Sequence, residues 1–295
     1  MKYCEKYSYA PDMETIGRSL EMLAGNLKNG ASEQVDKDCF SMMDLTTLKT
    51  DDTPASVQKL VRKVNEFRNE RPEWPLPASV CVYPNFASVV KEARQCDFNI
   101  TVVSACFPSS QSFLEVKLLE CEKAVEAGAD EVDIVLALNA FLAGDYETAA
   151  EEIRQVRTVI DRAAEKDGRK VHLKVILETG LLHTPELVAE ASFLAMEAGA
   201  DFIKTSTGKV DVNATPIAAY VMCECISRYY KATGKKIGFK PAGGISSAMD
   251  ALCYYSIVST ILGKEWLNKD LFRFGVSRVA NSLISAVEES TVKYF

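Results

Sequence analysis

Asp201-Phe202-Ile203-Lys204-Thr205-Ser206-Thr207-Gly208-Lys209 is the stretch on which the reading of this chain turns. It opens as a short apolar strand with a lysine in its middle, then breaks into small residues, a glycine and a second lysine. Strand alternation sets Phe202, Lys204 and Ser206 on one face and Ile203 and Thr205 on the other. A lysine in a buried strand is costly unless its charge is matched or its amine is neutral. Lys204 is therefore either half of a buried ion pair or an amine held neutral as a nucleophile, and the strand alone leaves both open. Helix-like runs flank it, Pro185 to Gly199 before and Thr215 to Thr233 after.

Outward from that unit the same alternation repeats along the chain. Candidate strands are Ser41 to Leu45, Ser79 to Tyr83, Ile100 to Cys106, Glu131 to Leu136, His172 to Glu178, Phe202 to Ser206, Ile237 to Ala242 and Phe272 to Ser277. Helical runs such as Pro54 to Arg68, Ser112 to Gly128 and Tyr146 to Asp167 lie between them. Proline opens several helices and glycine follows several, as start and stop signals require. Eight strands each followed by a helix predict an α/β chain folded as a closed (β/α)8 TIM barrel. An open doubly wound sheet is the alternative, but no G-x-G-x-x-G follows the first strand. With no linker or compositional break, residues 1–295 read as one domain: a helical extension (1–39), the barrel (40–290) and a tail (291–295). In the extension, Asp12 to Gly30 reads as an amphipathic helix covering one end of the barrel, and Ala31 to Asp36 as a polar loop.

Composition narrows the function. The 295 residues carry 34 Lys and Arg against 41 Asp and Glu, a net charge of −7, which argues against a nucleic-acid or anionic-membrane surface. Nine scattered cysteines without a C-x-x-C read as small hydrophobes in a reduced compartment. The start lacks the apolar core of a signal peptide, and no apolar run reaches the roughly 18 residues of a membrane helix. A cytoplasmic protein is expected. The two histidines, His172 and His183, read as surface or capping residues and not as a shared metal site.

Active sites of such barrels sit at the C-terminal ends of the strands. Polar residues collect there: Asp44-Leu45-Thr46-Thr47 on the first, Cys81 on the second, Asp133 on the fourth, Glu178-Thr179-Gly180 on the fifth. Lys204 leads to Thr207-Gly208-Lys209 on the sixth, Lys240 to Pro241-Ala242-Gly243-Gly244 on the seventh, and Gly275 to Ser277-Arg278 on the eighth.

From about Met42 to Ser285 these residues resemble the deoxyribose-phosphate aldolase family. The resemblance rests on six segments in order: MDLTTL from Met43, GADEVDIV from Gly128, LKVILETG from Leu173, GADFIKTSTGK from Gly199, VNATP from Val212 and GFKPAGG from Gly238. It implies a class I, Schiff-base aldolase with no metal and no cofactor. Such an enzyme reversibly cleaves 2-deoxy-D-ribose 5-phosphate to acetaldehyde and D-glyceraldehyde 3-phosphate. By motif position Lys204 is the Schiff-base lysine, Lys240 its neighbouring lysine and Asp133 the acid/base carboxylate. The family's habit also suggests a homodimer.

The physical chemistry agrees with those roles. A free lysine has a pKa near 10.4, so about one in 2,500 is neutral at pH 7. Bringing it to about 7 disfavours the charged form by roughly 4.6 kcal/mol. Burial and a second ammonium at Lys240 supply that penalty, which tips the reading of Lys204 from ion pair to nucleophile. Asp133, through a water, takes and returns the C3 hydroxyl proton. Asp44, Thr46 and Thr207 are candidate substrate contacts, with Asp44 also a candidate anchor of the lysines. The phosphate is expected at Gly208, Lys209, Gly243, Gly244, Gly275, Ser277 and Arg278, where glycines admit backbone N–H groups. Arg278 departs from the family pattern, in which a second serine is common; it reads either as a phosphate contact or as the partner of an outer carboxylate. Glu131 and Lys174 read as a structural pair deeper in the barrel, Cys81 as a small hydrophobe, and Tyr294 in the tail as a proton donor only if the tail folds over the mouth. Rival readings are another Schiff-base barrel aldolase, a non-catalytic sugar-phosphate sensor and a pyridoxal-phosphate lysine.

Overall fold

A computed structural model describes residues 3–295. Eight short parallel strands form its centre: β1 (Met43–Thr46), β2 (Ser79–Val82), β3 (Asn99–Val103), β4 (Glu131–Val135), β5 (His172–Ile176), β6 (Phe202–Lys204), β7 (Gly238–Lys240) and β8 (Phe274–Val276). Each pairs with its sequence neighbour, and β1 also pairs with β8. Parallel bridges Phe239–Phe272 and Ala242–Gly275 join β7 to β8 and close the ring. Every strand is covered by helices outside and filled by side chains inside, which is why the strands read as near-continuous apolar runs.

The helices start where the sequence signals them. Thr53, Thr184 and Thr215 cap the helices Pro54–Glu70, Pro185–Glu197 and Pro216–Thr233, each accepting a backbone N–H with a proline just inside. Proline suits that position because its missing N–H would have no helical partner. Most buried apolar side chains of the described residues join an extended cluster between strands and helices.

The amino-terminal region departs from expectation in two places. The segment read as a loop carries the helix Glu33–Ser41, started by Ser32, whose hydroxyl accepts from Val35 N–H. Its polarity reflects a helix with one buried edge, at Cys39 and Phe40. The preceding helix, Met13–Asn26 with a 3-10 turn at Leu27–Gly30, does not cover an end of the barrel. It packs on the outer flank, against Pro216–Thr233 and Ala248–Ile261. Only Ile16 on its apolar side is fully buried, as suits a helix laid on other helices.

Candidate active site

Strand alternation turns seven charged side chains into the barrel interior. Asp44 comes from β1, Glu131 and Asp133 from β4, Lys174 from β5, Lys204 from β6, Lys240 from β7 and Arg273 from the entry to β8. All are buried, Lys204 retaining 3% exposure and the other six 2% or less. Charges are tolerated at this depth only because each meets an opposite charge.

The contacts form one network. Arg273 donates to both oxygens of Glu131 (2.6 and 3.0 Å) and to Asp44 Oδ1 (2.5 Å). Lys174 pairs with Glu131 and donates to Asp133 Oδ1 (3.1 Å). Lys240 lies 2.5 Å from Asp44 Oδ2 and donates to Asp133 Oδ2 (2.7 Å). Lys204 donates to the same Asp133 oxygen (2.8 Å) and meets no other carboxylate of the described residues at ion-pair distance. The expected pair Glu131–Lys174 is thus present, but Lys174 reaches Asp133 as well.

These surroundings split the three lysines. For Lys204, burial pushes the ammonium pKa below its ordinary value; Asp133 opposes the shift and Lys240 reinforces it. Lys240 and Lys174 are equally buried, yet each gains enough from its carboxylates to be held above the ordinary value, Asp133 foremost in both cases. Burial acts to raise the pKa of Asp133, but Lys174, Lys204 and Lys240 outweigh it and hold the carboxyl far below the usual range. One amine is therefore biased towards neutrality beside two fixed ammonium groups and an ionised carboxylate.

Glycines make room for this arrangement. A Cβ on Gly275 would stand 2.7 Å from Ala242 Cβ and 3.0 Å from Lys240 Cε, so the Lys240 stem passes where a side chain would have been. A Cβ on Gly238 would fall 2.2 Å from the Phe202 ring, which fills the layer beneath.

Above the network a cavity of about 420 Å³ opens at the C-terminal ends of the strands. Lys204, Thr46 and Thr207 line it, with all seven residues expected around the phosphate: Gly208, Lys209, Gly243, Gly244, Gly275, Ser277 and Arg278. Gly208, Gly243 and Gly244 have φ of 79–80°, a region side chains resist, so backbone can approach an occupant closely. The helix Val279–Val287 begins at this rim without a side-chain cap, leaving its first N–H groups free for an anion. Arg278 lies exposed between this cavity and its neighbour, with no carboxylate of the described residues at ion-pair distance. A larger cavity, about 630 Å³, lies at the opposite end around Asn65, Gln95 and Lys269, but no member of the charged network lines it.

Other expected residues take different places. Asp44 is a member of the network and does not line the cavity; its neighbours are Lys240, Arg273 and Lys174. Asp133 and Lys240 also lie behind Lys204, out of the lining. The Thr46 hydroxyl donates to Asp44 O (2.7 Å). The Thr207 hydroxyl donates to Glu178 (2.6 Å) and accepts from Lys209 N–H, so it fastens the loop after β6. Lys209 Nζ reaches across the mouth to Leu48 O (2.6 Å). Cys81 belongs to a small apolar cluster with Leu48 and Val103, and burial raises its thiol pKa. Tyr294 is docked on the flank, its ring 5.3 Å from Phe67 and its hydroxyl on Lys63 O (3.2 Å), away from Lys204.

Arg273 is a member of the network that the strand-end pattern misses, although it carries the same signal as Lys204 and Lys240. It is a cation set in an apolar run, Leu271-Phe272-Arg273-Phe274, two residues from Gly275 and so on the same face. Glu178 reads along the chain only as a strand terminus; its role in holding Thr207 needs its backbone at φ 53° and the adjacency of β5 and β6.

Comparison with known proteins places this geometry in context. Residues 39–253 match the model of the DeoC/LacD family aldolases. The deoxyribose-phosphate aldolase of Homo sapiens is 43% identical over 259 residues, covering 84% of this chain and 78% of that protein. The Bos taurus deoxyribose-phosphate aldolase is 42% identical over 246 residues, covering 80% and 75%. Among solved structures, the tetrameric deoxyribose phosphate aldolase of Aeropyrum pernix superposes with a TM-score of 0.66 at 23% identity, covering 94% of this chain and 98% of that one, a likeness of fold.

Proposed function

This chain belongs to the DeoC/LacD family of aldolases, and from that premise we propose that it is a class I enzyme that reversibly cleaves 2-deoxy-D-ribose 5-phosphate through a Schiff base on Lys204. The observation that carries the reading is the division among the interior lysines. Of the three, only Lys204 both lines the mouth cavity and is biased towards the free amine. A nucleophilic amine must be unprotonated and reachable, and both conditions meet at that nitrogen.

In the proposed sequence, Lys204 Nζ adds to the C1 aldehyde of the open-chain sugar, and loss of water leaves an iminium. The iminium draws the electron pair of the C2–C3 bond as it breaks, while the C3 hydroxyl loses its proton. D-glyceraldehyde 3-phosphate departs, and the enamine left on Lys204 is protonated at carbon and hydrolysed to acetaldehyde. Asp133 is 2.8 Å from the reacting nitrogen and stabilises the cation that forms there. Because it lies behind Lys204, it reaches the C3 hydroxyl proton through a water in this scheme. Held ionised by three lysines, it does not keep that proton but passes it back through the water, which delivers it to the enamine carbon. Lys240 keeps its charge and thereby keeps that of Lys204 off.

The phosphate in this reading sits against Gly208, Gly243, Gly244 and the amino end of Val279–Val287, with Ser277 and Arg278 as side-chain donors. Thr46 and Lys209 border the sugar. Borohydride reduction in the presence of acetaldehyde, followed by peptide mass mapping, tests the assignment. An adduct on Lys204 is expected; capture on Lys240 or Lys209 would reassign the nucleophile, and no capture with no turnover would favour a sensor.

A further inference from the structure

We infer that Arg273 is a positioning residue for this reaction: by occupying Glu131 and Asp44, it makes Lys204 the cation for which the buried cluster has no unmatched carboxylate. The inference rests on the proposed role of Lys204 and names a residue that role did not require. Three carboxylates, Asp44, Glu131 and Asp133, face four cations, Lys174, Lys204, Lys240 and Arg273, in the buried interior beneath the mouth cavity that Lys204 lines. A buried cluster favours neutrality, so one of the four is under pressure to lose its proton. Arg273 cannot be that one, because a guanidinium stays charged at any relevant pH.

The geometry assigns the surplus. Arg273 spans both oxygens of Glu131 and one of Asp44. Lys174 takes Glu131 and Asp133 Oδ1 and stands 3.6 Å from Asp44 Oδ2; Lys240 lies 2.5 Å from Asp44 Oδ2 and takes Asp133 Oδ2. Lys204 is left to share that last oxygen. Arg273 is held by its surroundings as well: its guanidinium carbon lies 5.9 Å from the centre of the Phe202 ring, with Lys174 Nζ 5.8 Å from the same centre. Phe202 can stand there because Gly238 has no side chain. Around Lys204 the charged and titratable groups are Asp133 and Glu131 from β4, Lys240 from β7, Cys81 from β2, Asp44 from β1, Lys174 from β5 and Arg273 at β8, with Lys49, Lys209 and Arg278 across the mouth cavity; His172 lies 4.0 Å from Glu131 at the lower edge.

Removing the Arg273 charge lightens the positive side, eases protonation of Lys204 and moves the acid limb of the kcat/KM profile to higher pH. Removing the Glu131 charge does the reverse. The profile of kcat/KM against pH, with deoxyribose 5-phosphate as substrate, reads this limb in the free enzyme. Arg273→Gln is expected to raise it by about one pH unit, the effect of a unit charge acting over roughly 10 Å at an effective dielectric near 20. Glu131→Gln is expected to lower it, the double variant to return it close to wild type, and Arg273→Lys to leave it in place. A merely structural arginine would reduce activity evenly across pH with the limb unmoved, and that result overturns the inference. So does a shift of the same sign in Arg273→Gln and Glu131→Gln. Should Arg273→Gln not fold, Glu131→Gln and Arg273→Lys decide alone, since a raised limb in either contradicts the charge count. Borohydride trapping of wild type with acetaldehyde runs in parallel. No adduct on Lys204 strikes the Schiff-base reading itself, whereas an adduct with unmoved limbs strikes only the role of Arg273.

Discussion

Replacing Lys240 by methionine isolates the second ammonium on which the neutrality of Lys204 depends. Both amines lie within 2.8 Å of one oxygen of Asp133, so they are close neighbours in the buried interior. At a separation of roughly 4.5 Å and an effective dielectric near 20, two unit charges repel by about 3.5 kcal/mol. That corresponds to between two and three pK units, roughly. The methionine keeps the stem volume that passes over Gly275 while removing the charge. Losing it also frees Asp133 to pair with Lys204 as an ordinary ion pair, which pushes in the same direction. Lys240→Met should therefore lose roughly two to three orders of magnitude in kcat/KM below neutrality and recover much of it as pH rises, its acid limb displaced upward. The assay is cleavage of deoxyribose 5-phosphate followed through the triose phosphate released, across the pH range in which the variant stays folded by circular dichroism. An equal loss at every pH would refute the electrostatic account and leave Lys240 a packing or proton-relay residue. A limb displaced downward would refute its sign.

Three further expectations follow from particular contacts. Gly275→Ala should lower kcat/KM while costing about 1–3 kcal/mol of stability, because its methyl would press on Lys240 and Ala242; calorimetry beside kinetics separates the two effects. Arg278→Ala should raise KM for deoxyribose 5-phosphate by roughly 10- to 100-fold, the worth of a charge-assisted hydrogen bond, and leave unphosphorylated deoxyribose unaffected; equal effects on both would remove Arg278 from the phosphate site. Asp44, Glu131 and Asp133 are each held below the ordinary carboxylate range by their cations, so the unfolded chain binds protons first as pH falls. Their stabilisation is complete above the unfolded carboxylate pKa of about 4 and is lost progressively below it, so urea midpoints should fall steeply on acidification; a midpoint flat from pH 6 to pH 3 would contradict the ion pairing.

Much of this protein is legible residue by residue. The Thr–Pro starts at Thr53, Thr184 and Thr215, the short apolar strands and the glycines after the helices are local signals, governed by backbone sterics and by which faces can be buried. They placed the eight strands within a few residues and put Lys204, Lys240 and Asp133 on inward faces. Where local signals were thin the expectation failed: Ala31 to Asp36 looked like a loop because its helix buries only one edge, and Asp12 to Gly30 looked like a plug because amphipathicity does not say what the apolar side will meet.

Charge state is a different matter. Whether a buried lysine is an ion-pair partner or a free amine depends on how many carboxylates reach it and how many other cations they already serve. That count draws on Asp44, Glu131, Asp133, Lys174, Lys204, Lys240 and Arg273, residues as far apart as 229 positions that meet only when β8 closes on β1. Thr207 shows the same limit, since its hydroxyl looks free along the chain and is taken by Glu178 once β5 and β6 lie side by side. Steric and apolar patterning act over a few residues and are written in order along the chain. Electrostatic balance acts through space in a medium that screens little, and only the closed barrel sets those distances.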